Sequence, residues 1–122
     1  MQRRQIIQWG AASLAAPAFL AQAQSFPNKP IKLIIAFPAG GPTDITMRAL
    51  ADNASKILGQ TVIVENKPGA GGTLPAQALQ TVPADGYTVA QIPLGVFRLP
   101  YTTKINWDPV KDISYVLNVT GY

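Results

Sequence analysis

The sequence contains no cysteine and no histidine, and these two absences exclude several kinds of chemistry. Without either residue the chain alone offers no thiolate or imidazole metal ligand, no cysteine nucleophile and no imidazole general base. A serine–histidine–aspartate triad is excluded for the same reason. The composition therefore argues against an enzyme, and it gives no reason to expect a cofactor or a metal ion.

Charge is also scarce, and the basic excess is smaller than it first looks. The formal net charge is +4, but Arg3 and Arg4 lie in a segment that we expect to be removed, which leaves eight basic residues against six acidic ones. The remaining basic residues are scattered singly, so we expect no nucleic-acid partner. With 48% hydrophobic residues and a mean hydropathy of +0.14, the 122 residues are apolar enough for the packed core of one domain or part of one.

The first 23 residues have the pattern of an export signal. A short basic start, Met1 to Arg4, is followed by a mostly apolar stretch from Ile6 to Leu20. The small residues Ala21 and Ala23 predict cleavage between Ala23 and Gln24, and therefore export of a mature chain of residues 24–122. The pair Arg3-Arg4 resembles a twin-arginine signal. The alternative, an uncleaved anchor helix, is disfavoured because the apolar run is shorter than the roughly 20 residues that span a bilayer.

The mature chain alternates between strand and helix patterns, which predicts an α/β fold with a parallel sheet and flanking helices. Apolar residues of the first helix form one stripe: Met47, Leu50, Ala51, Ala54 and Leu58. Gly59 is placed to end that helix in a left-handed cap. The predicted strands are 31–37, 61–64, 87–92 and 113–119, the second helix is 74–82 with Thr73 as N-cap, and residues 93–112 are predicted to form loops and short helical turns.

Two glycine-rich segments lie where a strand pattern gives way to a helix pattern. We call residues 37–44 the first corner and residues 65–73 the second corner. Glycine is needed where the backbone adopts positive φ or approaches a ligand closely. Two such corners after neighbouring parallel strands would aim two helix N-termini at one spot, which favours an anion. The alternative is that the glycines only make tight turns.

The kind of anion follows from what the corners lack. The second corner departs from the dinucleotide pattern G-x-G-x-x-G at its last position, and neither corner is followed by the Gly-Lys-Ser/Thr of a P-loop. The one basic residue in either corner is Lys67. We therefore expect backbone N–H groups to bind a small carboxylate and not a nucleotide.

Three charged residues each have two interpretations. Asp44 either caps the first helix and complements its dipole, which we favour, or receives an amino or hydroxyl group of a ligand. Lys67 is either a solvated loop charge, which we favour, or a carboxylate clamp. Arg98 is flanked by apolar residues, so it either contacts an anion or pairs with an acid outside this sequence.

The segment before the last strand pattern offers little chemistry. Asp108 and Asp112 are four residues apart and are too few carboxylates for a metal site, so we interpret them as solvated. Trp107 and Tyr101 are expected to cover the sheet.

Several motifs together resemble one family, the Bug-type extracytoplasmic solute receptors, which are the substrate-binding components of tripartite tricarboxylate transporters. The resemblance runs in order over the mature chain. It rests on Ser25-Phe26-Pro27-Asn28-Lys29-Pro30-Ile31, Phe37-Pro38-Ala39-Gly40-Gly41-Pro42-Thr43-Asp44, Val64-Glu65-Asn66-Lys67-Pro68-Gly69-Ala70-Gly71-Gly72-Thr73, Pro83-Ala84-Asp85-Gly86-Tyr87-Thr88 and Trp107-Asp108-Pro109-Val110-Lys111-Asp112.

The resemblance implies part of the first lobe of a type II periplasmic binding protein, a monomer that closes on a carboxylate and passes it to membrane permease subunits. Pro75 departs from the family pattern, where glycine is frequent. Carried over residue by residue, the ligand-binding positions are Pro38, Ala39, Gly40, Gly41, Thr43, Asp44, Asn66, Pro68, Gly69, Ala70, Gly71, Gly72 and Thr73.

Members of this family are much longer, with a second lobe inserted after a strand like the one predicted at 113–119. The resemblance therefore implies an N-terminal fragment that would bind ligand weakly alone, because half of the cleft is missing. Two alternatives stay open: a receptor that reports its ligand to a membrane signalling kinase, and a non-functional remnant.

Overall fold

A parallel sheet of three strands organises residues 25–119, the part of the chain that the computed structural model describes. Strand β1 (Ile31–Ile35) lies between β2 (Val62–Asn66) and β3 (Thr88–Ala90), and it pairs in parallel with both. The predicted α/β fold with a parallel sheet is confirmed. The signal-peptide prediction, with its cleavage point at Ala23 and Gln24, lies outside the described residues.

Helix α1 (Pro42–Leu58) connects β1 to β2 and begins and ends as the sequence predicts. Pro42 occupies the first turn, where a missing N–H costs nothing. Gly59 adopts φ +66° and its N–H donates to the carbonyl of Ser55 at 3.0 Å, which is the expected left-handed cap. The Ser55 hydroxyl then accepts from the backbone N–H of Val62 at 2.8 Å, so the end of α1 is fixed to the start of β2.

Helix α2 (Leu74–Leu79) connects β2 to β3 and is shorter than predicted. The chain passes from β2 across β1 to β3, so a right-handed crossover places α2 on the face of the sheet opposite α1. The helix ends in two i→i−3 turns at Gln80 and Thr81, because Val82 precedes a proline and is disfavoured in the helical region. Thr73 is not the side-chain cap that we predicted, since its hydroxyl donates to the carbonyl of Ala70 at 2.9 Å.

Two apolar clusters hold these layers together. One joins β1 to α1 through Leu33, Ile35, Met47 and Ala51. Leu50 and Leu58 of the predicted stripe are exposed and do not belong to this cluster. The other cluster contains Ala76, Val96 and Trp107, with Ile92, Leu99, Ile105 and Ile113 packed against it.

The irregular segment after β3 behaves as predicted, with one exception. It contains a 3₁₀ turn (Leu94–Arg98) and a one-turn helix, α3 (Leu99–Thr102). Trp107 is buried and covers the core as expected, but Tyr101 is 89% exposed, so its predicted covering role is wrong. Within residues 25–119 no helix has the length and apolar character needed to cross a membrane.

The strand predicted at 113–119 is absent from the structure, and that prediction is wrong. These residues pair with neither β2 nor β3, and Val116 and Leu117 are exposed. β-propensity describes how well a side chain fits a pleated surface beside a paired strand. Without such a neighbour, the same residues do not form a strand.

Candidate functional site

The carboxyl ends of β1 and β2 bring the two corners side by side. Ile35 is in register with Asn66, and the N–H of Lys67 donates to the carbonyl of Ile35 at 2.8 Å. The Asn66 side chain reaches across and donates to the carbonyl of Phe37 at 3.0 Å. The structure therefore places the two corners next to each other, as the parallel topology predicts.

In the first corner, two amides are occupied by the corner itself. Gly40 has φ +80°, and its N–H donates to Oδ2 of Asp44 at 2.8 Å. The N–H of Gly41 points to the carbonyl of Pro38 at 3.4 Å. The N–H groups of Thr43 and Asp44 lie in the first turn of α1, where no helical carbonyl precedes them, and these are the amides that face outward from the helix end.

Asp44 lies at the centre of the site and is only 3% exposed. Each carboxylate oxygen has two neighbours: Oδ2 accepts from Gly40 and from Nε of Arg48 at 3.0 Å, and Oδ1 accepts from the same Nε at 3.0 Å and from Nδ2 of Asn66 at 2.8 Å. Its position in the first turn complements the helix dipole, as expected, but the helix has no side-chain cap. The capping interpretation is therefore wrong in that part.

The ionised form of the Asp44 carboxyl group is strongly favoured. The hydrogen bond from Arg48, then those from the Gly40 amide and Asn66, hold the pKa of Asp44 well below its usual range. The same contact raises the pKa of Arg48. The carboxylate is thus ionised, buried and paired.

Arg48 belongs to this site, although the sequence analysis did not select it. Its side chain is 47% exposed, and besides Asp44 it contacts Oδ1 of Asn66 through Nη2 at 2.9 Å. It lies one helical turn beyond the first corner, so a search confined to the corners misses it. The available signal was its spacing from Asp44, because acidic and basic residues at i and i+4 are neighbours on a helix.

Both amide hydrogens of the Asn66 side chain are used by the first corner. Its two amide hydrogens go to Asp44 and Phe37, and its oxygen accepts from Arg48. No Nδ2 hydrogen remains for a ligand. Asn66 therefore connects the corners through its side chain.

The second corner is built from left-handed backbone. Gly69, Ala70, Gly71 and Gly72 have φ values of +120°, +46°, +64° and +85° in succession. The N–H of Gly72 donates to Gly69 at 2.9 Å and that of Thr73 to Ala70 at 3.3 Å, which leaves the N–H groups of Ala70 and Gly71 at the turn. Because α2 has only six residues, one of them Pro75, its dipole adds little. A helix follows each corner, as expected, but the two helix ends differ, since only α1 is long.

The loop after β3 is a third neighbour that the sequence analysis missed. Oε1 of Gln91 accepts from the N–H of Ala36 at 3.3 Å, and the Gln91 N–H donates to Ile34 at 2.8 Å. A Cβ placed on Gly72 would lie 2.8 Å from Cγ of Pro93, so this loop packs directly on the second corner. The order β2-β1-β3 puts the change of direction between β1 and β3, which is where open α/β sheets bind ligands.

The other selected charges lie outside this arrangement. Lys67 pairs with Glu65 at 3.1 Å, and Lys32 pairs with the same carboxylate at 2.9 Å, so Lys67 is a paired surface charge. Arg98 is exposed, and no carboxylate of residues 25–119 lies within ion-pair distance of it.

Asp108 and Asp112 form a turn of their own and do not converge with the corners. The N–H of Asp108 donates to Asp112 at 2.7 Å, and Asp108 in turn accepts from the N–H of Val110 at 2.9 Å. Both carboxylates therefore serve local structure.

Comparison with known proteins identifies the family to which the chain is similar. A model of the tripartite tricarboxylate transporter family receptor matches residues 46–122, which include the second corner. The "UPF0065 protein in gbd 5'region" of Cupriavidus necator is 60% identical over an alignment that covers 100% of this chain. The chain spans only 39% of the length of that relative.

Solved structures show the same local fold. A TctC solute-binding protein from Polaromonas is 40% identical with a TM-score of 0.61, over 66% of this chain and 28% of that one. MatC from Rhodopseudomonas palustris with bound malate is 38% identical with a TM-score of 0.51, over 53% of this chain and 22% of that one.

Proposed function

The chain belongs to the tripartite tricarboxylate transporter receptor family, and from this premise we propose that it captures a small carboxylate in the periplasm for such a transporter. Membrane permease subunits as partners and a monomeric receptor are parts of the same proposal. MatC, a protein with a similar local fold, is described with bound malate, which supports a di- or tricarboxylate as ligand.

One observation carries the proposal: two corners with outward-facing backbone amides lie side by side, and their one cation, Lys67, is already paired with Glu65. The first-turn N–H groups of α1 favour a negative group. Each helix end stabilises a bound negative group by only about 0.3–1 kcal/mol when exposed, or up to about 2 kcal/mol when partly buried. Such a site suits a carboxylate better than a triphosphate.

Thermal unfolding with matched ligand pairs tests the proposal. Malate, succinate and citrate are compared with their neutral amides, which have the same shape without the charge. A ligand that binds the folded chain stabilises it by RT ln(1 + [L]/Kd), so the melting temperature rises with the logarithm of ligand concentration once that concentration exceeds Kd. We expect a small rise with the carboxylates and none with the amides.

Two results would contradict this function. The first is equal melting temperatures with every acid and its amide up to saturating solubility. The second is chemical conversion of the added acid, which would make the chain an enzyme. Mass spectrometry of the periplasmic fraction tests the export part of the proposal, because cleavage after Ala23 predicts a mature chain that begins at Gln24.

A further inference from the structure

The two corners are connected by a closed ring of side chains, which we call the Asp44 cluster: Asp44, Arg48 and Asn66. Asp44 bonds to Arg48 and Asn66, and Arg48 bonds to Asn66, at distances of 2.8–3.0 Å. The ring also holds backbone of the first corner through the Gly40 N–H and the Phe37 carbonyl. Both corners therefore depend on the same three side chains.

The Asp44 carboxylate places a negative charge close to a site that we assign to an anion, because the Asp44 N–H is one of the amides of that site. Two like charges repel, and the repulsion grows as water is excluded from between them. Arg48 is the one cation in contact with Asp44 among the described residues, because Lys67 and Lys32 both lie against Glu65. Removal of the guanidinium would leave a nearly buried carboxylate without its counter-charge.

A lysine cannot reproduce this arrangement. Arg48 shares its Nε hydrogen between both oxygens of Asp44 and contacts Asn66 with a separate Nη2 hydrogen. These directions are fixed by the planar guanidinium, whereas an ammonium group is a single point of charge. The geometry of the guanidinium, and not only its charge, spans the two corners.

We propose that Arg48 is a positioning residue of the carboxylate site: it holds Asp44 against Gly40 and Asn66, which sets the spacing of the two corners and cancels the charge that Asp44 would otherwise present to a bound anion. The electrostatic half of this inference rests on the proposed function. The side chains of Asp44 and Asn66 then act through the corners and do not contact the ligand themselves, whereas the Asp44 backbone N–H remains one of the amides of the site. The low pKa of Asp44, caused chiefly by Arg48, is consistent with this role.

The first experiment needs no ligand. Amide hydrogen exchange is measured by NMR on the 122-residue chain and on its Arg48→Met, Arg48→Lys and Arg98→Met variants. Arg98→Met is the matched control, because Arg98 is exposed and has no acidic partner among residues 25–119. We expect the Gly40 amide to exchange about tenfold faster or more in Arg48→Met, to a lesser degree in Arg48→Lys, and at the wild-type rate in Arg98→Met.

The second experiment follows chemical shifts of the Thr43 and Asp44 amides during titration with succinate. Arg48→Met should weaken the response about tenfold or more, and added salt should reduce that loss because it screens the uncompensated charge. The double variant Asp44→Asn with Arg48→Met should recover part of the affinity, because no charge then needs cancelling. If Arg48 had a purely structural role, the double variant would bind succinate no more tightly than Arg48→Met.

The outcomes separate the inference from the function on which it rests. If the wild type responds to no carboxylate, the proposed function fails, and exchange of the Gly40 amide alone decides the positioning role. Unchanged Gly40 exchange in Arg48→Met together with wild-type succinate affinity would overturn the inference. If Arg48→Met does not fold, Arg48→Lys decides the result by the same two measurements.

Discussion

The two corners are both rich in glycine and both follow a strand, but they present their backbone N–H groups in different ways. The first corner contains one left-handed glycine, Gly40, and feeds a helix of 17 residues. The second corner has four successive residues with positive φ and feeds a helix of six. A helix end orients the amides of the first corner, whereas a run of positive-φ backbone orients those of the second. Glycine content alone therefore does not reveal how a turn presents its N–H groups.

The largest loss of folding stability is expected for Gly72→Ala, because both the backbone conformation and the space at Gly72 disfavour a side chain. Alanine at φ +85° costs about 1–2 kcal/mol, and its Cβ would meet Pro93 at 2.8 Å, which adds about 1–3 kcal/mol. Gly71→Ala, at φ +64° in open space, should cost only the conformational part, about 1–2 kcal/mol. Urea unfolding of both variants measures the difference. Equal losses would show that the contact with Pro93 does not restrict the second corner.

The next effect concerns the ionised carboxylate of the first corner. The pKa of Asp44 is lower in the folded chain than in the unfolded one, so its charge stabilises the fold above the unfolded pKa of about 4. That contribution is lost as the pH falls through the folded pKa. We expect Asp44→Asn to be less stable than the wild type at neutral pH, and this difference to shrink below about pH 4.

A matched control for this pH dependence is Asp85→Asn. The pKa of Asp85 is also lowered, chiefly by the Tyr87 N–H and then by Lys29, but Asp85 is exposed and distant in sequence from both corners. Its variant should lose less stability at neutral pH. A difference between wild type and Asp44→Asn that stays constant from neutral to strongly acidic pH would contradict the paired carboxylate.

A smaller effect distinguishes the adjacent glycines of the first corner. Gly40 has φ +80°, so Gly40→Ser should cost about 1–2 kcal/mol. Gly41 is the N-cap with φ −76°, and a Cβ there would lie 3.4 Å from the Pro38 carbonyl. Gly41→Ser should therefore be neutral or slightly stabilising, by a few tenths of a kcal/mol, since serine is a favoured N-cap. A stability loss in Gly40→Ser with a small gain in Gly41→Ser would support the different roles of the two glycines. The same loss in both variants would contradict it.

The smallest effect is expected at Lys67, the one cation within the corners. Its pair with Glu65 is solvent-exposed, so Lys67→Met should change stability by less than about 1 kcal/mol. Carboxylate binding, measured by the rise in melting temperature, should change little for the same reason. Loss of the response to succinate in this variant would mean that a lysine holds the ligand.

Local patterns predicted the parts of the fold that local interactions decide. The run of β1, the bounds of α1 and the cap at Gly59 follow from hydrophobic period and glycine chemistry. The strand prediction for residues 113–119 was wrong because strand formation depends on a neighbouring strand, which the sequence pattern does not show.

The candidate site was predictable to a similar extent. The corners and their adjacency follow from parallel topology, but the contacts of Asp44 do not. Gln91 lies outside the glycine motifs and reaches the site only after the chain folds. The spacing of Arg48 from Asp44 is visible in the sequence, but its contact with Asn66 is not. The hydrogen bonds from the Asn66 side chain to the first corner are also tertiary contacts, which the sequence does not show.

The central claim is that backbone amides, and not cationic side chains, bind the carboxylate. Heteronuclear NMR of the 122-residue chain during titration with succinate tests it most directly. The account predicts saturable shifts of the Thr43, Asp44, Ala70 and Gly71 amides, with the side-chain signals of Lys67 and Arg98 unchanged. Shifts confined to those two side chains, with silent amides at both corners, would contradict it.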